Sequence, residues 1–239
     1  LSKDEIERIV KFQTSVTTVE DITHDFLKRG VETYIADITV CSIRKWFAIP
    51  DGGLLYSKIN IPEVLIDEDN FFAEKRISAM KRKSIYLSNG KTDEKEIFRN
   101  ELFEANQYID TVKNISTMNC QSTETLKHID LKRMYTIRLK HCRTFFDELS
   151  SLDNIRLLGS EAVKSTLYFP VLVKAQSIVQ KKLAEKGIYA PVIWPLPKLA
   201  EGVCEIADDV AAHMLGIPCD HRYTDEEILQ VIHIIKEVM

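Results

Sequence analysis

Paired cysteines of the kind that build disulfide frameworks or zinc sites are missing. The five cysteines, Cys41, Cys120, Cys142, Cys204 and Cys219, are odd in number, scattered and without a CxxC pair, a pattern that fits a reducing cytoplasm. No apolar run reaches bilayer-spanning length, and the N-terminus has no basic stretch followed by an apolar core and a small-residue cleavage site, so no signal for export or membrane anchoring is visible. A dominant charge is missing too. With 32 Lys and Arg against 36 Asp and Glu, the net charge of −4 gives no general electrostatic hold on nucleic acid or an anionic membrane. Internal repeats and low-complexity tracts are absent. What remains is a chain of 239 residues, 45% hydrophobic and 28% charged, with enough apolar material for one large domain or two small ones. Small-molecule chemistry is the default expectation.

The chain opens on Leu1 and at once on a charged, helix-like segment from Ser2 to Val10, in which Ser2 and Glu5 can form a capping box. Such an opening is compatible with a piece of a longer polypeptide. Thr17 to Glu20 reads as a short buried strand ending on Asp21, with polar loop or helix material up to Gly30. Ile38 to Cys41 reads as a second strand that runs into Ser42-Ile43-Arg44-Lys45. Ile49-Pro50-Asp51-Gly52-Gly53 is a turn signal before a third apolar run, Leu54-Leu55-Tyr56. From about Asn70 long helical patterns take over, one through Phe98, Leu102, Phe103 and Ile109, another through Leu131, Met134, Cys142, Phe145 and Leu149, and these are expected to bridge to a second domain. That domain is expected to hold a strand from Leu167 to Val173, a helix from Ile178 to Lys186 closed by Gly187, a strand from Ile188 to Ile193, and a last helix. The last helix has a Thr224–Glu227 capping box and Ile228, Ile232, Ile235 and Val238 on one face.

Two strand ends carry the chemistry. Asp21 and His24 lie just past the first, Ser42 and Lys45 just past the second, where α/β enzymes gather ligand-binding groups. A lysine so placed can form a Schiff base with an aldehyde cofactor if its neutral amine is accessible. A carboxylate such as Asp21 can hold a pyridine nitrogen protonated, His24 can hydrogen-bond a phenolic oxygen, Ser42 can donate its hydroxyl to a phosphate, and Gly52-Gly53 lets backbone pass close by. Each residue also has a plain structural reading: an Asp at a strand end caps a turn, a loop histidine is solvated, Ser-x-x-Lys arises by chance, and Gly-Gly after Pro-Asp is a turn.

Taken together, Val19-Glu20-Asp21-Ile22-Thr23-His24, then Ala36-Asp37-Ile38-Thr39-Val40-Cys41-Ser42-Ile43-Arg44-Lys45-Trp46, then Asp51-Gly52-Gly53, resemble the DegT/StrS-type nucleotide-sugar aminotransferases of pyridoxal 5'-phosphate (PLP) fold type I. The resemblance implies Asp21 at the pyridine nitrogen, His24 near the phenolic oxygen, Ser42 at the phosphate, and Lys45 as Schiff-base lysine and proton shuttle. It continues more loosely through Lys186 to Pro195 and Gly216 to Thr224. It implies an α/β fold with part of the PLP-binding large domain and its lysine strand in residues 1–70, connecting helices in 71–130, and a small C-terminal α/β domain in 131–239. It also implies a cytoplasmic homodimer that takes an amino group, from glutamate as donor, to a nucleotide-linked keto-sugar in polysaccharide or glycan precursor synthesis. A sugar dehydratase on the same scaffold typically has His in place of the lysine.

Two features depart from that pattern. The Ser42-to-Lys45 spacing is shorter than in the family, and no Gly-x-Asn-x-Arg segment follows the lysine to reach a partner subunit's cofactor. Family members also place a sizeable N-terminal portion before the aspartate strand, and this sequence contains none of it. The alternative function is therefore a non-catalytic homologue with a structural or assembly role. Ser-x-x-Lys also occurs in penicillin-recognising serine hydrolases, but Lys-Thr-Gly and Ser-Asp-Asn are absent, the nearest run to the former being Lys91-Thr92-Asp93. His213, Cys219 and His221 lack a fourth metal ligand, and no metal is expected. Lys81-Arg82-Lys83, with Lys75 and Arg76 nearby, has the charge to touch nucleotide phosphates but reads first as a solvated helix face. Trp46 and Trp194 are either walls of a sugar pocket or core aromatics.

Overall fold

The computed structural model describes residues 3–12, 15–29, 34–63, 66–158 and 166–239. The expected Ser2–Glu5 capping box and Gly30 lie outside the described residues. The described residues fall into two compact units, one of residues 3–26 and 34–129, the other of residues 27–29 and 130–239.

The first unit opens with α1 (Lys3–Phe12), followed by β1 (Val19–Asp21) and the start of a short helix, α2 (Phe26–Arg29). Strand β2 (Ile38–Cys41) pairs in parallel with β1, Val19 opposite Ile38 and Asp21 opposite Val40. It pairs antiparallel with β3 (Leu54–Ser57), giving the order β1-β2-β3. The parallel pair is pinned at its start by Asp37, whose carboxylate accepts from both the amide and the hydroxyl of Thr18 at 2.8 Å. Those two hydrogen bonds hold the Asp37 carboxyl below its usual range. Beneath the strand ends, Phe26 packs on Trp46 and Phe47 with ring centroids 6.2 and 5.9 Å apart, and Ile22, Ile43 and Ile49 are buried with them. Strand β1 differs from the expected buried strand: it starts at Val19, and Val19 is 61% exposed. Among the described residues β1 pairs with β2 alone, which leaves its other edge uncovered.

Strand β4 (Ile66–Asp67) and β5 (Ile115–Ser116) form a short parallel pair that brackets a helical hairpin of α3 (Phe71–Asn89) and α4 (Thr92–Thr111). Gly90 closes α3 in the left-handed conformation. Buried Ala79 and Ala105 let the helices approach closely, and Lys75–Glu104 and Arg82–Glu94 ion pairs and a Phe71–Tyr108 ring contact tie them side by side. Thus Arg82, at the centre of the basic run, is committed to the α4 carboxylates Glu94 and Glu101. Helix α5 (Cys120–Lys127) ends the unit.

The second unit is a three-stranded antiparallel sheet, β6 (Ile155–Leu157), β7 (Tyr168–Val173) and β8 (Met214–Pro218), in the order β6-β7-β8. Helices α6 (Leu131–Leu149), α7 (Gln176–Glu185) and α9 (Asp225–Val238) share its core, in which Phe145, Val171, Leu183, Leu215, Ile217 and Ile235 are fully buried. Helix α8 (Glu205–His213) leads into β8. Gly187 takes a φ of 85° after α7, and the Thr224–Glu227 capping box is present with Ile228, Ile232 and Ile235 buried, as the sequence pattern requires. The expected strand from Ile188 to Ile193 is not one. Ile188, Ala190 and Ile193 do turn inward, but Pro191 has no N–H for a ladder. The segment touches β8 through a single Val192–Leu215 bridge and the Gly216 amide donating to the Pro191 carbonyl at 2.9 Å. A Cβ on Gly216 would come within 2.4 Å of Ile193, so glycine is what admits this close crossing.

One buried ion pair links distant parts of this unit. Arg138 of α6, fully buried, donates to Asp220 Oδ2 at 2.7 Å and to the Thr166 and Leu167 carbonyls, and Arg222 donates to Asp220 Oδ1 at 2.8 Å. Burial works to raise the Asp220 carboxyl, but the Arg222 hydrogen bond and the charges of Arg138 and Arg222 outweigh it and leave it below its usual range.

Candidate active site

The parallel pairing of β1 with β2 fixes where the reactive side chains can go, because both strands deliver their C-terminal ends to the same edge. Thr23, which the sequence reading left out, joins the two ends. Its amide donates to Asp21 Oδ1 at 2.8 Å, its hydroxyl accepts from the Ser42 amide at 2.9 Å, and its carbonyl accepts from the Trp46 indole at 2.6 Å. Buried Trp46 is therefore a structural brace of the strand end and not a pocket wall, whereas Trp194, in the other unit, is 67% exposed. The signal for Thr23 was present locally: Asp21-Ile22-Thr23 has the spacing at which an Asp side chain caps a turn amide two residues on.

After Ser42 the backbone tightens into a 3-10 turn over Ile43–Lys45, so that Ile43 points into the core while Lys45 is exposed. Asp21 is exposed, and His24 and Ser42 are half-buried. Burial lowers the His24 imidazole below its usual value, the Lys45 charge lowers it further, and Asp21 opposes both. His24 is thus held toward the neutral form that can accept or share a proton. Cys41 lies in the same field, its thiol pushed up to about 12, chiefly by burial, which makes it inert at neutral pH.

Asp21 and Ser42 also line a cavity of about 650 Å³, together with Thr23, Arg44, Phe72 and Tyr108, while Lys45 and His24 are not among its lining residues. The Asp51-Gly52-Gly53 turn forms part of the wall. Asp51 accepts from the Asn119 amide at 2.8 Å and from the Ser122 hydroxyl. Gly52 has φ +119°, and a Cβ there would lie 2.9 Å from Met118 Sδ, so the first glycine is required by backbone and space. Gly53 meets nothing closer than 3.7 Å and is not required on that ground.

A PLP site needs an amine, a carboxylate and a hydroxyl that the protein has not already committed. The Lys45 ammonium and the Ser42 hydroxyl make no hydrogen bond to a described residue, and Asp21 engages one oxygen with the Thr23 amide. The residues present fit that donor set. Among the described residues, no group of His, Cys, Asp and Glu side chains is arranged to hold a metal, and no helix is long and apolar enough to cross a membrane.

The architecture defines a class: as far as it extends, the chain has the fold of the DegT/DnrJ/EryC1/StrS sugar aminotransferases. Solved structures that share it include a DegT DnrJ EryC1 StrS aminotransferase from Brucella abortus, at TM-score 0.62 and 13% identity over 99% of this chain and 61% of that one. Another is DesV from S. venezuelae, in complex with a ketimine intermediate, at TM-score 0.60 and 16% identity, covering 99% and 62%. A third is NtdA from Bacillus subtilis with bound cofactor PMP, at TM-score 0.57 and 17% identity, covering 100% and 54%. The chain therefore spans about three fifths of the length of the first of these structures. No family model and no curated protein matches the sequence.

Proposed function

We propose that this chain is the lysine-bearing part of a PLP-dependent aminotransferase that moves an amino group from glutamate to a nucleotide-linked keto-sugar, with Lys45 as its cofactor lysine. What supports the reading is that Asp21 and Ser42 follow the ends of a parallel strand pair braced by Thr23, with His24 in the field of Lys45 and Asp21, in a fold shared with sugar aminotransferases.

When bound, PLP supplies an electron sink that stabilises the negative charge left when a Cα–H bond is broken. Lys45 would hold the cofactor covalently and, as the free amine once the donor has displaced it, would carry the proton from the donor's Cα to C4′ in the first half-reaction and from C4′ to the acceptor's Cα in the second. Asp21 would keep the pyridine nitrogen protonated, because an opposite charge favours the pyridinium. Neutral His24 would share a hydrogen bond at the phenolic oxygen, and the Ser42 hydroxyl would donate to the phosphate. A cytoplasmic homodimer, serving polysaccharide or glycan precursor synthesis, is part of the same proposal.

The test is amino transfer from glutamate to a panel of nucleotide-linked keto-sugars, with variants of two roles. Lys45→Ala is expected to abolish turnover while leaving weak noncovalent PLP binding, and Asp21→Ala to slow turnover by about a hundredfold or more, the scale of a lost acid–base or charge-stabilising group. Turnover retained in Lys45→Ala would sink the proposal.

A further inference from the structure

Among the described residues, Arg44 and Arg76 of the first unit form no ion pair. Arg44, between Ser42 and Lys45, and Arg76, one turn past Phe72 on α3, bring their guanidinium carbons to 5.4 and 5.6 Å from the centroid of the same Phe72 ring. Neither side chain makes a hydrogen bond or ion pair with a described residue, and Arg76 Nε is buried without a hydrogen-bond partner. Burial lowers both guanidinium groups from their usual value; Arg76 falls to about 10, with burial first and the Arg44 charge second, against Asp51.

The nearby carboxylates do not resolve this. Asp51 has both oxygens occupied by the Asn119 amide and the Ser122 hydroxyl. Asp69, on the cavity wall, accepts from the Phe71 amide at 2.8 Å, and Asp21 accepts from Thr23. Two like charges gathered from separate elements and partly withdrawn from water are costly unless an anion joins them. A planar guanidinium fork, moreover, matches the oxygens of a phosphoryl group.

From this arrangement we infer that Arg44, which lines the 650 Å³ cavity with Phe72, and Arg76, set against the same Phe72 ring, form a binding site for a phosphoryl dianion. A dianion balances both arginines, which a single carboxylate does not. Ser42, Ser116 and Thr117 line the same cavity and add hydroxyl donors. The site itself stands on this geometry alone; the phosphoryl source, either the 5'-phosphate of the cofactor or the diphosphate of a nucleotide-linked substrate, rests on the function proposed above.

The test is calorimetric titration of the full chain with inorganic pyrophosphate, uridine diphosphate, PLP and, as a carboxylate control, glutamate, at low and high salt. Pyrophosphate is expected to bind, more weakly as salt rises. Arg44→Gln and Arg76→Gln are each expected to weaken it about tenfold, the scale of a lost charge-assisted hydrogen bond, and Arg76→Lys to lose less. Arg76→Lys also reports on the site if Arg76→Gln fails to fold. A loss confined to PLP in the Gln variants assigns the cofactor phosphate, and a loss confined to uridine diphosphate assigns the substrate. Absence of phosphoryl binding at millimolar concentration, affinities unchanged in all three variants, or binding of glutamate in place of the phosphoryl compounds would each overturn the inference. Phosphoryl binding without covalent attachment at Lys45 overturns the cofactor reading alone, and Lys45 attachment with unchanged phosphoryl affinity in the variants overturns this site alone.

Discussion

The two units solve the packing problem differently. In the second, a sheet with helices against it encloses Phe145, Leu183, Leu215 and Ile235 so completely that none is exposed, and its buried Arg138 is tied to the Asp220 carboxylate and the Leu167 carbonyl. In the first, the sheet is three short strands, and Val19 and Leu55 on its two edge strands are each about 60% exposed. The reactive groups sit on this thinner unit, at the ends of its strands. The contrast separates packing from the candidate chemistry: the second unit encloses its apolar side chains, while in the first the Ser42 hydroxyl and the Lys45 ammonium make no hydrogen bond to a described residue.

The sharpest way to break that comparison is a pair of truncations. Phe145→Ala removes a fully buried ring stacked on Phe169 at 5.3 Å and is expected to cost about 3–5 kcal/mol. Leu55→Ala, on an exposed position, is expected to stay within about 0.5 kcal/mol. Chemical denaturation followed by circular dichroism reads both, and similar losses would erase the distinction.

Next in size is Asp220→Ala, which leaves the buried Arg138 charge uncompensated and is expected to cost about 3 kcal/mol. The pH dependence has a definite sign. Because the folded Asp220 carboxyl lies below its usual value, its contribution is complete above about pH 4 and is lost as pH falls through the lower folded value. Denaturation midpoints measured from pH 6 downward should therefore fall more steeply in the wild type than in Asp220→Ala, and parallel curves would contradict the assignment.

A smaller effect is expected at the brace of the site. Thr23→Val keeps the shape but removes the hydroxyl that accepts from the Ser42 amide at 2.9 Å, costing about 1 kcal/mol and speeding hydrogen exchange at Ser42. Unchanged exchange there would remove Thr23 as the link between the two strand ends.

How much of this was legible follows from the range of the interactions. The Ile38–Cys41 strand, the helix that Gly187 closes and the Thr224 capping box are written in neighbouring residues, and the alternation and capping patterns report them directly. The position of Asp21 and Ser42 at neighbouring strand ends was legible because a parallel pair places successive strand ends at one edge. What could not be read was long-range. Arg138 finds Asp220 across 82 residues, and β8 is a buried strand although Gly216 and Pro218 look like loop punctuation. Pro191 turned an apolar run into an extended connection. Arg44 and Arg76 acquire meaning only when folding sets both against Phe72.

The central claim is that Lys45 is the cofactor lysine, and the most direct measurement is covalent. Purified protein is mixed with PLP, its absorbance recorded before and after borohydride, and the reduced protein cleaved for peptide mass mapping. The account predicts a yellow species bleached by borohydride and a phosphopyridoxyl mass on the peptide containing Lys45, absent in Lys45→Ala. A label spread over surface lysines, or none on that peptide, would contradict it.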